Sequence, residues 1–275
     1  MPIIKYKVNK KTWEKEIRPY FLEKRGVLNI GKALKDFNIP PEQIKEIKEK
    51  IIKKRKQKKT KIPSSFGEIY TSFFLEKKEK IYLIGLRWPR EMFEIQTGMD
   101  LVGIKSEGFD IIYAQVKATE KEEKFLINKQ KEGLPEDLKD KKIDEYFREG
   151  TKEPATKLWI IDLAKNLVER GIIKANKDTV EKLIMGKEKY IRYGSLVHPP
   201  VDYKIDFSPE FEKLIEYCKE KHENEGINCT KKCSIACSDR NPVYFVDMVV
   251  KDITQRVNDI IKLELIVVPK HGKVE

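Results

Sequence analysis

The chain has 275 residues, of which 40% are hydrophobic and 37% are charged, and its formal net charge is +12. This hydrophobic fraction excludes a mainly disordered protein, and the length allows one large domain or two modest ones. No run approaches the roughly 18 to 20 apolar residues that span a bilayer. The first residues lack the pattern of a signal peptide. We therefore expect a soluble, cytoplasmic protein without a membrane segment.

The charged residues are mainly Lys and Glu, a composition typical of hyperthermophile proteins, in which ion-pair networks lose less to desolvation. The 57 Lys and Arg residues exceed the 45 Asp and Glu residues by more than that composition requires. Such a basic surplus favours a phosphate-rich partner such as nucleic acid. Thermophile proteins can also be basic without binding nucleic acid, so the charge alone does not decide whether this protein binds nucleic acid.

Residues 1–62 are expected to form a helical, basic N-terminal region. The apolar residues Trp13, Ile17 and Tyr20 have helical spacing. Between residues 52 and 61, seven of the ten residues are Lys or Arg. This run is either a solvated helix end, where cations suit the helix dipole, or a strip that follows a phosphate backbone.

Residues 63–165 are predicted to form a core of helices and strands. A helix with an apolar stripe comes first, at 63–78. Three strands are then predicted, at 80–86, 98–105 and 110–118. A helical crossover leads to a fourth, buried strand within 156–165, and it is long enough to return that strand to the same sheet in parallel. The sequence therefore predicts the α/β class, with a mixed central sheet flanked by helices.

Residues 166–275 are expected to form a mixed C-terminal region that serves recognition or structure. Helical patterns cover about 164–190 and 208–222, and a loop at 193–204 separates them. His198 lies in this loop, where a structural or DNA-contacting role is favoured over catalysis. Two later apolar runs, at 243–250 and 260–268, could extend the sheet or pack beside it.

The stretch IIYAQVKATE, residues 111–120, places Lys117 near the end of a buried-looking strand. A buried lysine is costly unless it has a partner or a task. If 98–118 is a hairpin that turns near 107 and 108, residues whose numbers sum to about 216 lie opposite each other. Asp100 is then close to Gln115 and Lys117, which share one face of their strand because side chains alternate.

Hydrolysis of a phosphodiester uses such a group of side chains. Mg²⁺ or Mn²⁺ prefers oxygen ligands, and Asp100, the Gln115 amide oxygen and the Val116 carbonyl can supply them. Lys117 can orient a water molecule or stabilise charge on the phosphate. The alternative is an ordinary salt bridge between Lys117 and Asp100 or Glu120.

These residues resemble the motif of the PD-(D/E)XK nuclease superfamily, the restriction-endonuclease-like proteins. Asp100 matches the family's Asp, and Gln115-Val116-Lys117 matches the acidic-x-Lys triplet with Gln in place of the acid. Glu68, in FGEIY, matches an acid that the preceding helix often contributes. The resemblance covers about residues 63–165. It implies a restriction-endonuclease-like core with Asp100, Gln115, Lys117 and Glu68 as catalytic residues.

The resemblance further implies a Mg²⁺-dependent endonuclease that acts on double-stranded DNA. A type II restriction enzyme working as a homodimer is the first expectation, because both strands must be cut. The alternatives are a nuclease subunit of a multi-gene antiviral defence or DNA-repair system, and a non-catalytic nucleic-acid-binding protein with a decayed site. Gln115 keeps the last alternative open. No Gly-rich phosphate loop is present, so no nucleotide motor is expected.

Four cysteines fall in one short segment, spaced C-x10-C-x3-C-x3-C. Their thiolates could enclose Zn²⁺ or a 4Fe-4S cluster. Disulfides in a hyperthermophile protein and four unligated thiols are the other readings. The residues are Cys218, Cys229, Cys233 and Cys237.

Overall fold

Six β-strands form one mixed sheet in the computed structural model, which describes residues 3–20, 62–83, 100–105, 110–139, 154–176, 180, 190–224, 242–253 and 255–256. The strands are β1 (Ile3–Val8), β2 (Ile81–Leu83), β3 (Leu101–Lys105), β4 (Asp110–Ala118), β5 (Tyr190–His198) and β6 (Val243–Val250). The helices are α1 (Lys10–Thr12, continuing as a π-helical turn over Trp13–Ile17), α2 (Ile62–Lys77), α3 (Lys124–Glu132), α4 (Leu134–Leu138), α5 (Pro154–Glu169) and α6 (Ser208–Asn224).

The strands lie in the order β1-β6-β5-β4-β3-β2. The first four in this order are mutually parallel, whereas β3 is antiparallel to both β4 and β2. The carboxyl ends of the parallel strands and the amino end of β3 therefore lie at one edge of the sheet. The predicted α/β class with a mixed sheet is confirmed.

Helices cover both faces of the sheet, which explains why β4 is apolar on both sides. The even-numbered residues Ile112, Ala114 and Val116 belong to the core that α1 and α2 cover. The odd-numbered Ile111 and Tyr113 belong to a second core with α5. Strand alternation places Gln115 and Lys117 on this second face as well.

The segment 156–165, predicted as the fourth strand, is instead part of helix α5. Its buried residues Ile160, Ile161, Ala164 and Leu167 have helical spacing. The repeat becomes clear only when Leu167 is included, because the shorter window looks like a continuous apolar run. The predicted strand was therefore a helix.

The strand parallel to β4 is β5, which covers much of the segment predicted as a loop at 193–204. Glycine and serine are common in turns, but Gly194 and Ser195 occur in this strand for packing reasons. A Cβ on Gly194 would lie 2.9 Å from Leu138 Cδ1 and from Phe245 Cδ1. Ser195 Oγ accepts a hydrogen bond from Thr71 Oγ1 at 2.8 Å, with both residues fully buried.

The N-terminal region begins with a strand, although only helix was predicted there. In β1, Ile4, Tyr6 and Val8 pack against the core under α1 and α2, and they alternate with Lys5 and Lys7. This period of two is a strand signal. The following helix starts at an Asn9 cap, whose Oδ1 accepts from Thr12 N at 2.9 Å.

The apolar run 243–250 is strand β6, and it extends the sheet between β1 and β5. The second run, 260–268, and the basic run, 52–61, lie outside the described residues. The sheet therefore takes strands from the predicted N-terminal region, the predicted core and the predicted C-terminal region.

Candidate active site

Asp100 and the triplet Gln115-Val116-Lys117 meet where β3 begins and β4 ends. The hairpin pairs Leu101 with Ala114, so opposite residues sum to 215 rather than about 216. Asp100 is therefore level with Gln115. Its Oδ2 accepts a hydrogen bond from Val116 N at 2.7 Å. This bond places the carboxylate beside the backbone that joins Gln115 to Lys117.

The Val116 carbonyl points toward the same side. The N–H and C=O groups of one strand residue are directed to the same neighbouring strand. Because Val116 N–H is directed to Asp100, the Val116 carbonyl is also directed past the start of β3. The backbone thus adds an oxygen to the group formed by Asp100 and Gln115.

Gln115 is a buried polar residue, with 9% of its surface exposed. Its Oε1 has no hydrogen-bond partner among the described residues. A buried acceptor without a partner costs about 1–3 kcal/mol. This oxygen therefore has the capacity to accept from a donor or to coordinate a cation.

Lys117 has a partner that neither predicted salt bridge anticipated. Its Nζ lies 2.5 Å from Asp137 Oδ2, with the two side chains 27% and 17% exposed. Asp137 belongs to α4, in the crossover between β4 and β5. Nothing in the local pattern around Lys117 indicates this contact, because the two residues meet only when α4 docks on the sheet.

Residues of β5 help to hold α4, and with it Asp137, in place. Arg192, from β5, donates from Nη1 to the carbonyl of Leu138 at 2.9 Å, at the end of the helix. Gly194 leaves room for the Leu138 side chain. The Lys117 side chain lies under the turn between α3 and α4, where a Cβ on Gly133 would be 3.4 Å from Lys117 Cε.

Glu68 is buried, with 7% exposure, rather than solvated on the outer side of its helix. It lies on α2, against the face of the sheet opposite to Gln115 and Lys117. At its neighbour Gly67, α2 lies close to the sheet, since a Cβ there would lie 2.8 Å from Ala118 Cβ. The helix thus brings Glu68 near the end of β4.

The oxygen atoms at this edge suit a hard divalent cation. Among the described residues, no three or more His, Cys, Asp or Glu side chains form a group that could hold a metal. A cation here would therefore depend on neutral oxygens beside the Asp100 carboxylate. Gln115 Oε1 and the Val116 carbonyl are such oxygens, and Mg²⁺ accepts ligands of this kind together with water and phosphate.

The cysteine segment lies outside the described residues, including the side chain of Cys218 in α6. Its predicted zinc or iron–sulfur site stays a prediction. None of the helices in the described ranges is both long and apolar enough to cross a membrane.

No family model, curated protein or solved structure matches this chain.

Proposed function

We propose that this protein is a divalent-metal-dependent nuclease of the PD-(D/E)XK type that cuts DNA. The observation that carries the proposal is the hydrogen bond from Val116 N to Asp100 Oδ2, at 2.7 Å. It joins the motif's Asp to the middle of its Gln-x-Lys triplet, at one edge of a mixed sheet.

The order of elements supports the same proposal. Helix α2 precedes the antiparallel strands β2, β3 and β4, and a helical crossover leads to β5, which is parallel to β4. This is the order that the resemblance implies, with β5 as the fourth strand in place of the segment 156–165. A restriction-endonuclease-like core would then extend to His198.

In the proposed reaction, water attacks phosphorus, one P–O ester bond breaks, and the leaving oxygen takes up a proton. A divalent ion held by Asp100, Gln115 Oε1 and the Val116 carbonyl would polarise the phosphate and acidify the water. The Lys117 ammonium donates to a non-bridging phosphate oxygen and stabilises the charge that builds there. Asp137 acts as a positioning residue, because its carboxylate holds the ammonium at the site.

Asp137 is also relevant to the charge of the motif, which here has Gln115 in place of an acidic residue. Gln115 removes one negative charge from the position where the family more often has a carboxylate. Asp137 returns one negative charge to the same face of the sheet, with its Oδ2 2.5 Å from Lys117 Nζ.

Double-stranded DNA is the proposed substrate, and cutting both strands would require a homodimer or two successive events.

For the biological role, we propose the same candidates that the sequence resemblance implies. A type II restriction enzyme is the first candidate, and a nuclease subunit of a multi-gene defence or repair system is the second. A third candidate, a DNA-binding protein without catalysis, is favoured by one observation. The ammonium of Lys117 is already paired with Asp137, as in a purely structural ion pair.

Plasmid cleavage with Mg²⁺ or Mn²⁺ tests the proposal. We expect the wild type to cut, and Lys117→Ala and Asp100→Asn to lose about 10²–10³-fold in rate, the loss typical of one transition-state contact. Asn at position 100 can still accept from Val116 N, so this variant tests the charge rather than the fold. The exposed Lys213→Ala, on α6, serves as the matched charge control.

Two outcomes would overturn the nuclease proposal. One is a wild type that leaves plasmid, linear and single-stranded DNA intact with either ion. The other is full activity in both Lys117→Ala and Asp100→Asn. DNA binding without cleavage by the wild type would select the non-catalytic candidate.

A further inference from the structure

A cleft lies at the same edge of the sheet, outside the group formed by Asp100, Gln115 and Lys117. It has a volume of about 380 Å³ and is bounded by the carboxyl ends of β1, β5 and β6. Crevices at the carboxyl ends of parallel strands are the usual ligand sites of open α/β sheets. Its volume is within the range of about 300–1,000 Å³ that is common for small-molecule sites.

The cleft is strongly basic. Among the described residues that line it, four are lysines and one, Asp247, is an acid; the lysines are Lys5, Lys7, Lys204 and Lys251. The whole chain, by contrast, has 57 basic against 45 acidic residues. The ratio of basic to acidic residues is therefore higher in the cleft than in the whole chain.

His198 lies beside Asp247 in the cleft. Its Nε2 lies 2.8 Å from Asp247 Oδ1, and its Nδ1 lies 2.6 Å from the Pro199 carbonyl oxygen. The imidazole thus lies between the Asp247 carboxylate and the Pro199 carbonyl oxygen. The ring is buried, at 1% exposure. His198 is thus the end of β5 and a fixed part of the cleft floor, rather than part of a loop.

The strand register shows how far this cleft lies from Lys117. Lys117 pairs with Leu196, Leu196 with Asp247, and Asp247 with Lys5. These residues form one row across four strands and share one face of the sheet. With strands about 4.8 Å apart, the Cα atoms of Lys117 and Asp247 are about 10 Å apart along the row, so the cleft and Lys117 are close enough for one nucleic-acid strand to contact both sites.

Besides the lysines, the walls of the cleft offer apolar surface and a hydroxyl group, which can contact parts of a ligand other than its phosphate. Apolar side chains such as Val201 and Val249 line it beside the lysines. The Tyr203 hydroxyl has no hydrogen-bond partner among the described residues. Burial, and then the charge of Asp202, raise the pKa of Tyr203, so the hydroxyl stays protonated and can donate.

We propose that this cleft binds one nucleotide of the DNA strand that enters the candidate active site, with the backbone phosphate on the lysines and the sugar or base on the apolar wall. This inference rests on the proposed nuclease function, and it names the surface that aligns the strand. Lysines recognise the phosphate as point charges, and the apolar wall adds contact without reading sequence.

The test is DNA binding by the triple variant Lys5→Gln/Lys7→Gln/Lys251→Gln, without divalent metal so that no cleavage occurs. Fluorescence anisotropy of a labelled duplex gives Kd at several salt concentrations. We expect Kd to rise at least tenfold. The slope of log K against log salt should fall by about 0.9 for each duplex phosphate contact that is lost.

The matched control is Lys11→Gln/Lys174→Gln/Lys213→Gln, which removes the same charge from exposed positions outside the cleft. It should change Kd less than threefold. Circular dichroism before and after heating would check that both triple variants are folded.

The outcomes separate this proposal from the nuclease proposal. If the wild type cuts DNA but the cleft variant binds like the control variant, the cleft proposal is wrong and the nuclease proposal stands. An equal loss in both triple variants would mean a diffuse charge effect, which also overturns the cleft. A wild type that neither binds nor cuts DNA overturns both proposals.

Discussion

At the scale of single residues, Lys117 shows what a strand pattern can predict and what it cannot. Its position in a buried strand predicts that it needs a partner or a task. The alternation of β4 correctly puts it on one face with Gln115, close to Asp100. The partner, Asp137, comes from the crossover helix and could not be identified from spacing. Gln115 is the more unusual residue, because its buried oxygen has no described partner.

Gln115→Glu tests whether this oxygen faces a cation. Without divalent metal, the new carboxylate would be buried next to Asp100, so the free energy of unfolding should fall by about 1–3 kcal/mol. Mg²⁺ should restore more stability to the variant than it adds to the wild type, because binding to the folded state alone stabilises it. Guanidinium denaturation in EDTA and in Mg²⁺ measures both effects.

The exposed Gln255→Glu makes the same chemical change away from the site, and Mg²⁺ should affect it as it affects the wild type. Equal stabilisation of wild type, Gln115→Glu and Gln255→Glu by Mg²⁺ would contradict a cation site at Gln115.

At the scale of elements, the site depends on how closely helices approach the ends of the strands. Helix α2 approaches β4 at Gly67, and α4 approaches β5 at Gly194. At both positions, even a Cβ atom would collide with a neighbouring side chain. These contacts explain why Gly194 occurs in a central strand, where the residue alone favours a turn. They also fix Val116 and Asp137 relative to Asp100.

Gly67→Ala should destabilise the protein, although alanine favours a helix by about 1 kcal/mol over glycine. The new Cβ would lie 2.8 Å from Ala118 Cβ and 2.9 Å from Val116 Cγ1. Overpacking of this kind costs about 1–3 kcal/mol, so the net change should be a loss. Urea denaturation gives its size, and any DNA cleavage should fall because Val116 moves.

The double variant Gly67→Ala/Ala118→Gly provides the control, because it removes one of the two colliding atoms. It should be more stable than the sum of the single changes predicts, as expected for residues in contact. Additive effects, or a Gly67→Ala protein more stable than the wild type, would contradict the close packing.

At the scale of the whole molecule, one sheet joins distant parts of the chain. Strands β1, β5 and β6 bring residues near 5, 198 and 247 to the same cleft. The sheet also buries tyrosines whose ionisation opposes folding. Burial, and then Glu16, raise the pKa of Tyr6 to about 12. Burial, Glu79 and Tyr244 raise the pKa of Tyr193, whose hydroxyl donates to Glu79 Oε2 at 3.3 Å.

These two tyrosines predict an alkaline limit to stability. Both phenols have raised pKa values in the folded state, so above pH 10 the unfolded chain releases protons that the folded chain retains. Their contribution is complete below about pH 10, the ordinary tyrosine pKa, and is lost as the pH rises. Urea midpoints between pH 8 and pH 11.5 should therefore fall steeply above pH 10.

The variant Tyr6→Phe/Tyr193→Phe should lose less stability above pH 10 and should parallel the wild type between pH 8 and pH 9. A wild-type profile that the two phenylalanines leave unchanged above pH 10 would rule out these residues as the source of the alkaline loss.

The sequence alone determined the features that depend on neighbours along the chain. Side-chain periodicity predicted α2 and the β3–β4 hairpin, and the hairpin geometry brought Asp100 to Gln115 and Lys117 within one residue of the observed register. Such features are local because a hairpin turn and strand alternation together set which residues face each other.

Only the tertiary structure decided the features that depend on docking. Gly194 and Ser195 lie in a strand because Leu138, Phe245 and Thr71 pack against them, whereas their own preference is for turns. Asp137 reaches Lys117, and Lys5 pairs with Asp247 on the neighbouring strand, across gaps in sequence that no local period spans. The physical reason is that burial and close contact between distant elements outweigh the small backbone preferences of individual residues.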